Sequence, residues 1–327
     1  MNRVRLRGVA SGWRFLLLAL LAVLILAGCG RIPEKTTPDF SDRTINVVTT
    51  TGMVGDIVKE VGGDRLNVTT LMGPGVDPHL YKASEGDVER LDEADIVFYS
   101  GLHLEAKLAE VFEKMGDSIV TVPVTDLIPR SELHVVGSGA STYDPHVWFD
   151  VSMWSDAVES VRRTLVEVDP THAAEYDERA QAYQEKLTAL DEYVRAEANT
   201  IPEDKRVLIT AHDAFGYFAA AYGFDVLGLQ GVSTATEAGA GDVQSLANFI
   251  VENEIPAIFV ESSVSPRTVR ALQEAVRAQG YDVQIGGSLY SDAMGDPGTP
   301  DGTYIGMVRH NIDTIAHALR QDGAAES

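Results

Sequence analysis

The triplet Asp-Pro-His occurs twice in this chain, in VDPHLYKA (76–83) and in YDPHVWFD (143–150). Proline fixes its own φ near ~−65° and moves the residue before it out of the helical region, so each histidine sits at a rigid corner with a defined direction. The chain has eight histidines, at 79, 103, 134, 146, 172, 212, 310 and 317. Three of them, His79, His146 and His212, lie just after an expected strand or at an irregular turn. Asp292, in GSLYSDAMG, stands in the same kind of place. Three imidazoles and one carboxylate suit a divalent transition metal with ligand distances of ~2.0–2.2 Å. Taken singly, a histidine at a strand end is more often a turn residue or a satisfied polar contact. His103, in SGLHLEAK, also follows a strand and competes for the role, and His134 offers a weak accessory metal contact from a loop. His172 reads as solvated surface, and His310 and His317 as flanking the core or solvent on the last helix.

Such groups need a scaffold, and the sequence alternates between two periods. INVVTTT (45–51), LNVTTLMG (66–73), ADIVFYSG (94–101) and SIVTVPV (118–124) read as strands. Helices are expected at 53–63, 83–93, 104–115 and 151–168, and SELHVVGSGASTYD (131–144) as a loop. Short β-branched runs separated by helical periods indicate parallel β/α layers. Asp169-Pro170 then reads as an N-cap with proline in the first turn. Behind it Tyr176, Ala180, Tyr183, Leu187, Leu190 and Val194 recur in steps of four and three. They predict one long amphipathic helix ending near Asn199 to Pro202, roughly 40 Å long at ~1.5 Å per residue.

The grammar then repeats, with strands RVLITA (206–211), FDVLGL (224–229), PAIFVES (256–262) and YDVQIGG (281–287). Helices are expected at 214–222, 242–254, 266–279 and 303–321. The fold class is therefore α/β: two β/α lobes with parallel-type sheets, joined by one long interdomain helix. In open parallel sheets functional residues gather outside the carboxyl ends of the strands. His79 and His146 from the first lobe and His212 and Asp292 from the second can then meet in the cleft between lobes.

The amino-terminal stretch follows different rules. Arg3, Arg5, Arg7 and Arg14 precede an apolar run from Phe15 to Ala27. This is a secretory signal pattern and shorter than the ~20 apolar residues that span a bilayer. Cys29 is the one cysteine, so no intrachain disulfide can form, and LAGC around it resembles the lipobox of bacterial lipoproteins. Residues 1–28 hold four arginines and no acid, which leaves 22 basic against 49 acidic residues, a formal charge of −27. Such a surface repels nucleic acid and anionic headgroups and favours cations. The expected division is 1–28 a lipoprotein signal peptide, 29–43 a tether, 44–168 the N-terminal lobe, 169–200 the linking helix, 201–322 the C-terminal lobe and 323–327 a tail.

GVDPHLYKAS, ADIVFYSGLHLE, YDPHVWFD, ITAHDAFGYFAAAYG, IFVESSVSP and SLYSDAMGDPGTPDGTYIGMVRHN, in this order over nearly the whole chain after Cys29, resemble a known family. It is the family of metal-binding solute-binding lipoproteins of bacterial zinc and manganese ABC importers. Carried over residue by residue, the resemblance implies a metal site of His79, His146, His212 and Asp292, and it gives His103 no ligand role. It implies capture of zinc or manganese as transported ligand, an importer permease and its ATPase as partners, a lipid anchor on Cys29 outside the cell membrane or in the periplasm, and a monomer without enzymatic activity. Histidine at 212, where several manganese-dedicated members carry glutamate, moves the expectation toward zinc. The 131–144 loop, with His134 alone, lacks the long His- and Asp-rich insert of many zinc-dedicated members and moves it partly back.

Glu261, at a strand end, is expected behind the metal ligands or else as a helix cap near Ser265-Pro266. A divalent ion with one carboxylate and three neutral imidazoles would leave the site net positive. A surface-anchored metallohydrolase would use the same histidines but keep an open coordination position and a general base. An adhesin lipoprotein would need an exposed binding surface.

Overall fold

The β-branched runs of the first half form β1 (Ile45–Thr49), β2 (Leu66–Thr70), β3 (Ile96–Tyr99) and β4 (Val120–Pro123), a parallel sheet in the order β2-β1-β3-β4. The computed structural model describes residues 38–115, 119–137 and 143–320. The expected signal segment, Cys29, most of the tether and the tail lie outside those residues, and the chain from Asp39 onward belongs to one compact unit. Helices α1 (Gly52–Gly62), α2 (Glu85–Asp92) and α3 (Ala109–Met115) connect the strands, and α4 (Val151–Val168) closes the half. Their starts have local causes. Thr51 caps α1, Ser84 and Asp87 form a capping box on α2, and Asp150 accepts from the amides of Ser152 and Met153 at the start of α4.

The second half holds β5 (Val207–His212), α6 (Gly216–Tyr222), β6 (Asp225–Gln230), α7 (Ala240–Glu252), β7 (Ala257–Glu261), α8 (Arg267–Arg277), β8 (Gln284–Leu289) and α9 (Tyr304–Leu319). Its strands pair in parallel as β5-β6 and β7-β8, with β5 beside β7. Among the described residues no helix is long and apolar enough to cross a membrane.

Between the halves runs α5 (Ala173–Ala198), 26 residues. Its predicted apolar stripe is buried at every position from Tyr176 to Val194. The first turns hold the first half, with Tyr183 donating to Asp56 at 2.7 Å and Lys186 beside Glu60 at 3.1 Å. The last turns hold the second, with Tyr193 donating to Asp313 and Arg195 to the carbonyl of Ala221, both at 2.7 Å. One apolar cluster runs without a break from β1 and α1 through α4 and α5 to α6 and α9, and smaller clusters lie under the rest of each sheet.

Three expectations fail locally. The helix expected from Leu104 starts only at Ala109. The Glu105 carboxylate turns back to accept from the amides of Ser100 and Gly101 and from Thr50, and Leu102 and His103 adopt positive φ, so residues 101–108 form turns instead. The last strand begins three residues later than 281, because Tyr281 donates to the carbonyl of Ile255 and Asp282 receives Arg277. Asp169 is not the N-cap of α5, which follows a 3₁₀ turn at Pro170–His172. Its fully buried carboxylate accepts from Tyr176 at 2.6 Å and from Arg65 at 3.0 and 3.1 Å, and lies 2.7 Å from His172 Nδ1. His172 is therefore a partner of Asp169 rather than free surface.

Removing one member of a buried, hydrogen-bonded ion pair costs about 3 kcal/mol. Asp169→Ala should lower the unfolding free energy by about that amount in urea denaturation, whereas Glu185→Ala on the exposed face of α5 should stay within about 0.5 kcal/mol. Equal effects from the two substitutions would contradict this account of the α4–α5 corner.

Candidate metal centre

Each side chain of the site is delivered by the end of an element. In the second half the carboxyl ends of three parallel strands supply the groups: His212 is the last residue of β5, Glu261 the last of β7, and Asp292 follows β8 by three residues. The chain leaving His212 runs so close to β6 that a Cβ on Gly228 would lie 2.3 Å from the amide nitrogen of Asp213, so only glycine fits there. In the first half His79 follows β2 through a turn-rich segment, and His146 precedes a 3₁₀ turn at Val147–Phe149.

The two Asp-Pro-His corners share one local device. Asp77 Oδ1 accepts from the amide of His79 at 2.9 Å, and Asp144 Oδ1 accepts from the amide of His146 at 3.0 Å. The aspartate thus folds the triplet back on itself, in addition to the restriction proline imposes. The corners then diverge. Asp144 Oδ1 also lies 2.7 Å from His146 Nδ1, whereas the second oxygen of Asp77 accepts from Thr234 Oγ1 at 2.6 Å.

The structure brings His79, His146, His212 and Asp292 together, all buried, with candidate ligand atoms within 4.8 Å of one another. His79 Nε2 lies 3.3 Å from His146 Nε2, His146 Nε2 lies 3.4 Å from Asp292 Oδ1, and Asp292 Oδ2 lies 3.3 Å from His212 Nε2 and 3.8 Å from His79 Nε2. A tetrahedron with metal–ligand bonds of ~2.1 Å has edges of about 3.4 Å, and three of these four spacings lie at that length. His212 Nε2 and both oxygens of Asp292 are buried without a hydrogen-bond partner. Close but unbonded polar atoms aimed at one point are what a cation would satisfy.

Behind this cluster two carboxylates hold the imidazoles. Glu261 Oε2 lies 2.5 Å from His212 Nδ1, and its Oε1 accepts from the His212 amide at 2.9 Å. Asp144 does the same for His146. With Nδ1 engaged, each ring turns Nε2 toward the centre, the arrangement that fixes tautomer and orientation in metal sites. Glu261 is therefore not a helix cap. Trp148 packs edge-on against the His146 ring, 5.2 Å between centroids, and donates from its indole N–H to the carbonyl of Ser291 beside Asp292.

The electrostatics follow from three buried carboxylates against three imidazoles. Burial pushes His146 down, but the bond to Asp144 and the Asp292 carboxylate more than offset it and raise the ring to about 9. His212 is likewise raised, since Asp292 and Glu261 outweigh its burial. Those two rings outweigh the burial of Asp292 and hold its carboxyl well below the usual range. His79, whose ring has no hydrogen-bonded carboxylate, is lowered to about 4 by burial, which outweighs the Asp292 charge 3.8 Å away. The expected net positive site is thus corrected: with Asp144 and Glu261 counted beside Asp292, a divalent ion and neutral imidazoles leave one formal negative charge.

The other histidines stand apart. His103 is exposed at a positive-φ turn, and His134 stacks on Tyr217 with ring centroids 4.2 Å apart, outside the convergent group. His310 meets the carbonyl of Ser288 and the ring of Tyr290, and His317 is exposed. Asp144 is the functional group that sequence reasoning missed, although it stands in the triplet that attracted attention.

Residues 47–318 match the family model described as zinc-uptake complex component A, periplasmic. The chain belongs to this family. The zinc-binding protein TroA of Treponema pallidum (strain Nichols) is 55% identical over 273 residues, 84% of this chain and 88% of the relative. The manganese-binding lipoprotein MntA of Bacillus subtilis (strain 168) is 47% identical over 301 residues, 92% of this chain and 97% of the relative. A solved structure, the periplasmic zinc-binding protein TroA from Treponema pallidum, superposes with a TM-score of 0.83 at 54% identity, covering 85% of this chain and all of that one. As in these family members, the architecture is α/β with two lobes and a long helix between them.

In the metal-free protein the His146 ring should titrate near pH 9, and Asp144→Asn, which removes the charge on its Nδ1 side, should bring that step down. Histidine side-chain ¹⁵N shifts against pH read both; an unchanged step in the variant would remove Asp144 from this role.

Proposed function

We propose that this protein is the extracytoplasmic solute-binding component of an ABC importer, capturing a divalent transition metal and handing it to the permease and its ATPase. His79, His146, His212 and Asp292 hold the ion, while Asp144 and Glu261 orient the rings of His146 and His212. One observation carries the reading: the convergence of three buried imidazoles and a buried carboxylate, with ligand atoms within 4.8 Å of one another. The family and its zinc- and manganese-binding members support it. Four protein ligands occupy a tetrahedral shell completely, so the site serves binding and release rather than hydrolysis, which needs an open position for water. The chain is exported and, in the same reading, anchored as a monomer through lipid on Cys29.

Zinc is the first expectation, because three imidazoles and a carboxylate suit it and zinc outranks manganese in the usual order of affinities. Glutamate at position 212 would stand beside Glu261 and Asp292 and add a third carboxylate to a pair already buried. We therefore expect His212→Glu alone to weaken both metals, and His212→Glu with Glu261→Gln to shift the zinc/manganese ratio toward manganese in competition assays. A double variant with the parent's ratio would sink the role assigned to position 212.

Protons and metal compete for the same nitrogens. The carboxylates beside His146 and His212 raise both rings in the metal-free site, so loading should release protons. Ordinary imidazoles would begin to lose the metal near pH ~6.5. Here affinity should already fall as pH drops from about 9. Zinc titrations by calorimetry in buffers of different ionisation heat measure the release, and constant affinity down to pH 5 would contradict this ligand set. His146→Ala and His212→Ala should each lower zinc affinity by at least about a hundredfold, at the upper end of what removing even an outer partner does.

A further inference from the structure

The segment 231–239 leaves β6 directly beside the site, since Gln230 is the register partner of His212. It is polar and largely exposed, with one buried residue, Thr234. Thr234 reaches across from the second half and donates to Asp77 Oδ2 at 2.6 Å. The other oxygen of the same carboxylate holds the amide of His79 at 2.9 Å. A hydroxyl on the second half and a metal-site residue on the first are thus joined through one carboxylate.

The two histidine corners are secured unequally. His146 is fully buried, its ring and amide both held by Asp144, while the Asp144 carbonyl accepts from Tyr217 at 3.0 Å. His79 is the most exposed of the four convergent side chains, at 5%. Its corner depends on Asp77, and Asp77 is held from the far side by Thr234. An ion leaving the site must loosen a ligand, and the ligand with the lightest support faces this segment.

We propose that Thr234 is a positioning residue that latches 231–239 over the cleft and, through Asp77, keeps His79 in place, so that it sets how long a captured ion stays. The proposal rests on the metal-capture reading for its function, though the latch itself is a property of the protein without metal. Release of the ion then requires the Thr234–Asp77 bond to part as 231–239 moves away from the first half.

The test uses the full chain carrying Thr234→Val, which keeps the branched shape without the hydroxyl, Thr234→Ser, which restores it, and Thr234→Ala as a second loss variant. In the metal-free proteins, amide hydrogen exchange of the segment holding His79 should be faster in the Val and Ala variants and as in the parent in the Ser variant. With zinc loaded and then stripped by excess chelator in a stopped-flow instrument, release should be about tenfold faster in the Val and Ala variants, in line with losing a hydrogen bond to a charged acceptor, and normal in the Ser variant. Exchange unchanged by Thr234→Val overturns the latch, and faster exchange with unchanged zinc release overturns its role in retention. If the parent protein bound neither zinc nor manganese, the metal-capture reading would fall, while the exchange measurement would still decide whether Thr234 holds His79.

Discussion

A carboxylate that is fully buried and accepts no hydrogen bond is among the most expensive groups a fold can carry, costing several kcal/mol unless a positive charge stands beside it. Asp292 is such a group, and two more buried carboxylates, Asp144 and Glu261, stand one imidazole away from it. The rest of the molecule is organised to make that concentration of charge tolerable. Imidazoles separate the carboxylates, protons neutralise them when no cation is present, and a divalent ion can replace those protons. Protons on the imidazoles and a divalent ion are thus alternative sources of the positive charge that these carboxylates call for.

The scaffold explains why such a site can be built at all. Parallel strands end on one side of their sheet, so β5, β7 and the chain leaving β8 bring His212, Glu261 and Asp292 to one edge. The first half adds His79 and His146 from corners that an aspartate folds back on itself. Helix α5 runs behind both halves and is bonded to each.

Much of this was legible in the sequence, and the parts that were not share a cause. The stripe from Tyr176 to Val194 is long and strictly periodic, so it reported α5 without tertiary information. His212 could be placed because RVLITA reads as a strand that ends there. The pairing of Asp144 with the ring of His146 was hidden because proline alone seemed sufficient reason for the triplet. Asp169 imitated an N-cap because a polar residue before proline looks the same whether it caps a helix or binds Arg65, 104 positions away. Glu105 suppresses a turn of helix through bonds to the ends of β1 and β3, and nothing in LHLEAKL announces it. Thr234 is ordinary in its own segment and gains meaning only from Asp77. Each miss is a polar side chain whose hydrogen-bond partner, near or far along the chain, is not announced by its own sequence pattern.

The continuous apolar cluster through β1, α1, α4, α5, α6 and α9 bears on inheritance as well as on mechanics. A gene fragment for either half would encode a chain that exposes one wall of a shared interior and carries two of the four convergent side chains. Neither half could be selected for by itself, whether for folding or for holding an ion. Recombination that exchanges halves between relatives would have to match both faces of α5 at once.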